Sequence, residues 1–321
     1  MWLKCSFICV IVFSSALGVG QLSASGKYAI EVEHAIVVVD TTENIVNRIT
    51  VRNIYDSSSP LISLSSRYLA RMTYWRDINT CKCNIPLIED PRILVITDLD
   101  TGVADTICHT FDYVWSPSED KLTFIYYEVE EDKKWGNHHS AGRSVWLYNA
   151  TSGVREEISG IICHEYTSLY WSEYKNTLCV SCLSGSDRHY DPVTGQVLEA
   201  WGYYLKISPD GKYGFYDNKE DAAEVYDLKT KKQIQLIKSA DSKSTTVEIY
   251  ASLLGWGKLD GKTIAFVSTI TLEYIDCATG QMYQVKPPSP DINPLYDLVG
   301  FRDGRPVWAK IHGDKAELFY Y

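Results

Sequence analysis

From residue 27 onward, apolar and polar positions alternate in short runs broken by Asp, Asn, Gly, Ser and Pro. A period of two turns one face of a segment toward a core and the other outward, so the pattern predicts strands joined by tight turns. Two turn signatures recur. In the first, an apolar strand ends in Asp or Asn and is followed by Thr or Ser and then Gly or a substitute. It reads VVVDTTEN (37–44), VITDLDTG (95–102), WLYNATSG (146–153), RHYDPVTG (188–195), EVYDLKTK (224–231) and EYIDCATG (273–280). The short polar side chain bonds the turn backbone, and Gly accepts a positive φ.

In the second signature an aromatic or apolar residue precedes a polar turn and an apolar strand follows. It reads LSSRYLARMTYW (64–75), WSPSEDKLTFIYY (115–127), WSEYKNTLCVSC (171–182), ISPDGKYGFYD (207–217), WGKLDGKTIAFVS (256–268) and FRDGRPVWAK (301–310). The two hairpin types alternate without a break. Four short strands per repeat predict an all-β propeller of four-stranded blades, with six blades expected and seven left open. The offset at the two ends predicts that 316–321 pairs with strands within 27–51 to close the ring. Trp115, Trp171 and Trp256 recur at one repeat position, which points to packing between blades.

WSPSEDKLTFIYY and ISPDGKYGFYD resemble the Trp-Ser-Pro-Asp-Gly-Lys repeats of TolB-type propellers and of the propeller half of prolyl-oligopeptidase-type peptidases. The resemblance covers about residues 60–310 and implies the fold. Trp171-Ser172-Glu173-Tyr174-Lys175 departs from it by lacking the Pro and Gly, and the turn at 65–67 is shortened. The N-terminal α/β domain of TolB and a Gly-x-Ser-x-Gly hydrolase motif are both missing from the sequence, so neither lipoprotein binding nor peptidase activity carries over.

Residues 1–20 place Lys4 before an apolar run and end in small residues, the order of a secretory signal. The run is short of the roughly 20 residues a membrane span needs. The expectation is therefore a signal at 1–20 and a single exported propeller over 21–321, monomeric and without a membrane span. Acidic residues outnumber basic ones 41 to 31, a net charge of −10, which disfavours nucleic acid as a partner.

Nine cysteines are present, two of them in the signal segment. Blade grammar places the short hairpin turns on one rim. The links between second and third strands, and between blades, fall on the other rim, where 76–91 and 128–142 are long. That second rim receives Cys81, Cys83, Cys108, Cys163 and Cys182, with Cys179 near enough to join them, and also His109, His138, His139 and His164. Cys277 alone sits on the opposite rim. In an oxidising compartment such cysteines are disulfide candidates. The alternative is a thiolate–imidazole metal site, with Cys108, His109, Cys163 and His164 as its ligands.

Other motifs carry less. His164-Glu165-Tyr166-Thr167-Ser168 has Ser where a zinc peptidase needs its second His. Asp98-Leu99-Asp100-Thr101-Gly102 resembles a calcium loop faintly and is better explained as a hairpin. Asn149-Ala150-Thr151 is a glycosylation sequon. With no catalytic set and no cofactor motif, the expected function is a non-catalytic module that binds a protein, peptide or glycan through its loop-rich rim. The rival is a metal-dependent hydrolase or oxidoreductase with its site at the channel mouth.

Overall fold

A computed structural model describes residues 26–32, 35–50, 58–74, 92–132, 137–159, 161, 166–182, 188–200, 205–218, 222–238, 251–269 and 271–321. Their strands form seven antiparallel sheets in chain order, five of four strands and two of three. These are the blades of a propeller, spanning 28–50, 58–108, 110–157, 166–200, 205–238, 252–284 and 298–320.

The chain has seven blades, the count left open beside the expected six. Each turn signature occurs six times, but on overlapping sets: the first blade carries only the Asp turn, and the seventh carries only the aromatic turn. The sequence reading merged those two incomplete blades into one. In the structure the strand Lys315–Tyr320 pairs with Arg305–His312, and Tyr28–Val32 pairs with Ala35–Val39. Among the described residues no ladder joins the chain ends, so the expected strand exchange is not how the ring closes.

Closure comes from face packing. Tyr28, Ile30, Val37 and Val39 of the first blade bury against Val307, Ala309, Ala316 and Leu318 of the seventh. Aliphatic side chains removed from water contribute about 1.5–3 kcal/mol each, so this seam rivals a ladder in stabilisation. Two polar contacts guard it. Glu43 accepts the Leu318 amide at 3.2 Å, and Arg48 donates to the Gly313 carbonyl at 2.8 Å.

The same physics repeats around the ring. Trp115, with Tyr68, Leu94 and Phe124, fills the space between the second and third blades. Trp171, with Val114, Ile125 and Tyr190, fills the next. Each indole finds an acceptor, Trp115 at the Leu61 carbonyl (3.0 Å) and Trp171 at Asn176 (2.9 Å), so burial leaves no unpaired N–H on either. Trp256 is partly buried against the cluster between the fifth and sixth blades.

Candidate functional site

The two rims differ in construction. On one, the Asp turns are locked by their own side chains. Asp191 accepts the amides of Val193 (2.9 Å) and Thr194 (2.8 Å), and its carbonyl takes the Gly195 amide (2.9 Å). Asp98, Asn149 and Asp276 repeat the arrangement, with Gly102, Gly153, Gly195 and Gly280 all at φ between 67 and 75°. Arg67 reaches Asp98 at 2.7 Å and, first among the causes, holds its carboxyl down to about 2. The calcium-like stretch at 98–102 is thus a hairpin turn. Asn149, the sequon residue, uses its side-chain oxygen on the Thr151 and Ser152 amides.

On the opposite rim the chain crosses between second and third strands or between blades. One such link, expected as a long loop over 128–142, is not a loop. Instead the strands Lys121–Asp132 and Asn137–Asn149 extend through most of it, pairing His138 with Glu131 and His139 with Glu130, with a bulge between Ser140 and Gly142. The alternation of Glu128, Val129 and Glu130 suits a strand.

At this rim stands the inner strand of the third blade, Thr110–Trp115, entered through a single residue, His109. His109 adopts φ +59°, which turns the chain from the outer strand Ala104–Cys108 into the next blade, and its carbonyl accepts the Tyr127 amide at 2.9 Å. Its ring stands edge-on to Tyr127 and Tyr126, with centroids 5.3 and 6.2 Å away. Its Nδ1 is buried without a hydrogen-bond partner, and burial lowers its basicity.

Two residues on, Phe111 lies under two guanidinium groups, Arg143 at 4.6 Å and Arg92 at 5.5 Å from the ring centroid. Asp112 follows. It accepts the Leu169 amide of the fourth blade at 2.8 Å and the Tyr113 amide at 2.9 Å. Burial pushes its carboxyl up to about 6, against the pull of those two amides and of Arg92. Next along the ring, the Tyr170 hydroxyl is also raised, chiefly by burial and then by Cys179 and Glu173. The arrangement gathers two cations, three aromatic rings, an imidazole and a weakly acidic carboxyl. Arg92 and Arg143 hold the Phe111 ring by cation–π contact, and the Asp112 carboxylate is engaged by the two backbone amides.

The cysteine and histidine set is resolved unevenly. Cys81, Cys83, Cys163 and His164 lie outside the described residues, as do the side chains of Cys182, His138 and His139. Cys108 ends its strand opposite Ile93. Cys179 corrects an expectation: it is a buried thiol and not a half-cystine. It sits in mid-strand, paired with Tyr170 on one side and His189 on the other, so it is held inside the fourth blade away from the rim. Cys277 is likewise a buried thiol, pushed up to about 12 by burial first and then by Asp276 and Asp210. Of the proposed metal ligands Cys108 and His109 are described, and the His109 ring is engaged by tyrosines. Among the described residues no three His, Cys, Asp or Glu side chains are grouped to hold a metal ion.

Arg92, Phe111, Asp112 and Arg143 were not picked out from sequence. The available signal was Asp112 itself, a carboxylate at an alternating position inside Thr110-Phe111-Asp112-Tyr113-Val114-Trp115. Likewise His189, 1% exposed, shares a 3.0 Å contact with the Thr177 hydroxyl and was overlooked.

No family model matches the chain, and no curated protein matches it. Among solved structures it is similar to a dihydro-heme d1 dehydrogenase, NirN, in complex with DHE, with a TM-score of 0.52 at 13% identity over 92% of this chain. The chain spans 57% of that protein's length. No helix among the described residues is long and apolar enough to cross a membrane. At that identity the likeness extends to the fold alone: the chain is a seven-bladed β-propeller.

Proposed function

We propose that this propeller is an exported, non-catalytic binding module that engages a protein, peptide or glycan through the rim opposite its Asp turns. The observation that carries this reading is the Phe111 ring held under Arg92 and Arg143 at the entry of an inner strand, beside His109 and two tyrosines. Arginine and aromatic side chains dominate the energetic centres of interfaces because they combine large contact area with directed hydrogen bonds. Loops on a rigid scaffold are the usual seat of such recognition. Disulfides among the rim cysteines are part of the proposal. They would tether the rim, with Cys108 as one half-cystine.

Site-specific photo-crosslinking in the producing cell tests it. A benzophenone side chain at position 143 is expected to give discrete adducts, while one at position 193, 82% exposed on the opposite rim, gives none. Adducts from position 193 alone, or from neither position, would overturn the assignment of the binding rim.

A further inference from the structure

The sixth and seventh blades pack on each other beside the seam between the seventh and the first. There, on the rim of short turns, a cavity of about 540 Å³ is lined by Lys258, Arg302, Asp303, Arg305, Tyr320 and Tyr321. That size lies within the roughly 300–1,000 Å³ typical of small-molecule sites. Beside it, two glycines let backbones touch. A Cβ on Gly304 would lie 2.6 Å from the Lys258 nitrogen, and one on Gly257 would lie 2.2 Å from the Gly304 carbonyl oxygen. Asp303 and Gly304 complete the turn at φ +51 and +70°. Lys258 is therefore clamped against the turn that presents Arg302 and Arg305.

The charges here run against the rest of the molecule. The chain carries −10 overall, yet three cations and one carboxylate share this cavity, and none of the four has an ion-pair partner among the described residues. The Arg302 guanidinium is steadied at 5.5 Å over the Tyr320 ring, which still exposes 40% of its surface. A buried tyrosine of the first blade lies nearby. Tyr28 is 2% exposed, and its hydroxyl is buried without a hydrogen-bond partner. That hydroxyl is pushed up to about 12 by burial first, with Tyr320 and Asp303 adding to the rise and Arg302 opposing it. It therefore lies within electrostatic reach of three of the cavity's residues.

We infer that this seam cavity binds a small ligand through an anionic oxygen group, a phosphate ester or a carboxylate. Arg302, Arg305 and Lys258 grip the anion. Guanidinium forks match the paired oxygens of either group. The exposed Tyr320 ring gives a flat substituent a surface to stack on. Asp303 turns away extended polyanions and accepts a ligand hydroxyl. The site lies on the rim opposite Phe111 and stands independently of the partner-binding proposal.

Isothermal titration of the full chain at low ionic strength tests it, with phenyl phosphate, benzoate and phenol as probes. Phenyl phosphate or benzoate is expected to bind saturably at one site per chain while phenol does not. The stronger of the two anions identifies the ligand group. Joint replacement Arg302→Gln and Arg305→Gln, at exposed positions, is expected to weaken binding about tenfold or more with an unchanged melting temperature. Absence of saturable binding by either anion below about 10 mM, a weak affinity by any measure, would overturn the inference. So would equal binding of phenol, or a double arginine variant that binds as the wild type does.

Discussion

The carboxylate of Asp112 accepts the backbone amide of Leu169 at 2.8 Å, joining the inner strands of the third and fourth blades. This one contact ties ring assembly to pH. The carboxyl is pushed up to about 6 from an ordinary 3.8, chiefly by burial. A raised carboxyl means that the folded state holds its proton more tightly than the unfolded state does. Its contribution is fully present below about pH 4 and is lost as pH rises through about 6. The loss amounts to about 2–3 kcal/mol over that window. His109, lowered by burial, acts in the opposite direction, so the comparison must be made against a variant. Asp112→Asn keeps an oxygen for the Leu169 amide and cannot ionise. In urea denaturation from pH 4 to 7.5, the stability difference between wild type and variant is expected to move by about 2–3 kcal/mol in the variant's favour. A difference that stays flat would show that Asp112 is not the titrating group.

A sharper test of blade packing uses two glycines of the same turn type. Gly102 and Gly195 share a positive φ, but a Cβ on Gly102 meets nothing within 4 Å, whereas one on Gly195 would lie 1.9 Å from the Ser159 carbonyl oxygen. Gly102→Ala should cost only the left-handed strain, about 1–2 kcal/mol. Gly195→Ala adds a clash with the third blade, for a total of about 2–5 kcal/mol. Equal costs measured by chemical denaturation would mean that the fourth blade's turn does not seat on its neighbour.

The turns and the fold were legible because the chemistry of a hairpin is local. Asp191 must find the Val193 and Thr194 amides whatever the rest of the chain does, and the sequence DPVTG already states it. Blade number was less legible, because a blade is counted by strands, while the signatures mark only two of the turns within each. At 28–50 and 298–320 one turn of the pair is missing. The Phe111 site was hidden for a different reason. Arg92, Phe111 and Arg143 come from two blades and three strands, and their convergence is set by the rotation between blades, which no local pattern encodes. Cys179 was misplaced by proximity in sequence: three residues along a strand is about 10 Å, enough to separate a rim from a core.

Ring closure by faces predicts coupling between residues far apart in sequence. Val37 and Leu318 belong to one buried cluster at the seam. Leu318→Ala should cost about 2–5 kcal/mol. Combined with Val37→Ala, the two losses should depart from additivity by about 0.5–3 kcal/mol, as expected for side chains sharing a cavity. Strict additivity in a double-mutant cycle would mean that the first and seventh blades do not pack on each other in solution.

The last prediction concerns the thiols. Cys277 is fully buried, its S–H facing the Ile275 carbonyl at 3.7 Å, and its ionisation is pushed up to about 12. The reacting species is the thiolate, so both burial and the shift suppress alkylation in the native state. Cys179 is held equally deep in its strand. Under native conditions neither is expected to react with iodoacetamide over hours, and both should be labelled stoichiometrically in denaturant without reductant. On the proposal that the rim cysteines are bridged, Cys108 is expected to stay unlabelled until reductant is added. Peptide mapping by mass spectrometry reads all three at once. Labelling of Cys108 in denaturant alone would sink the tethered rim. Native labelling of Cys277 would show that the interface between the fifth and sixth blades opens far more readily than its packing allows.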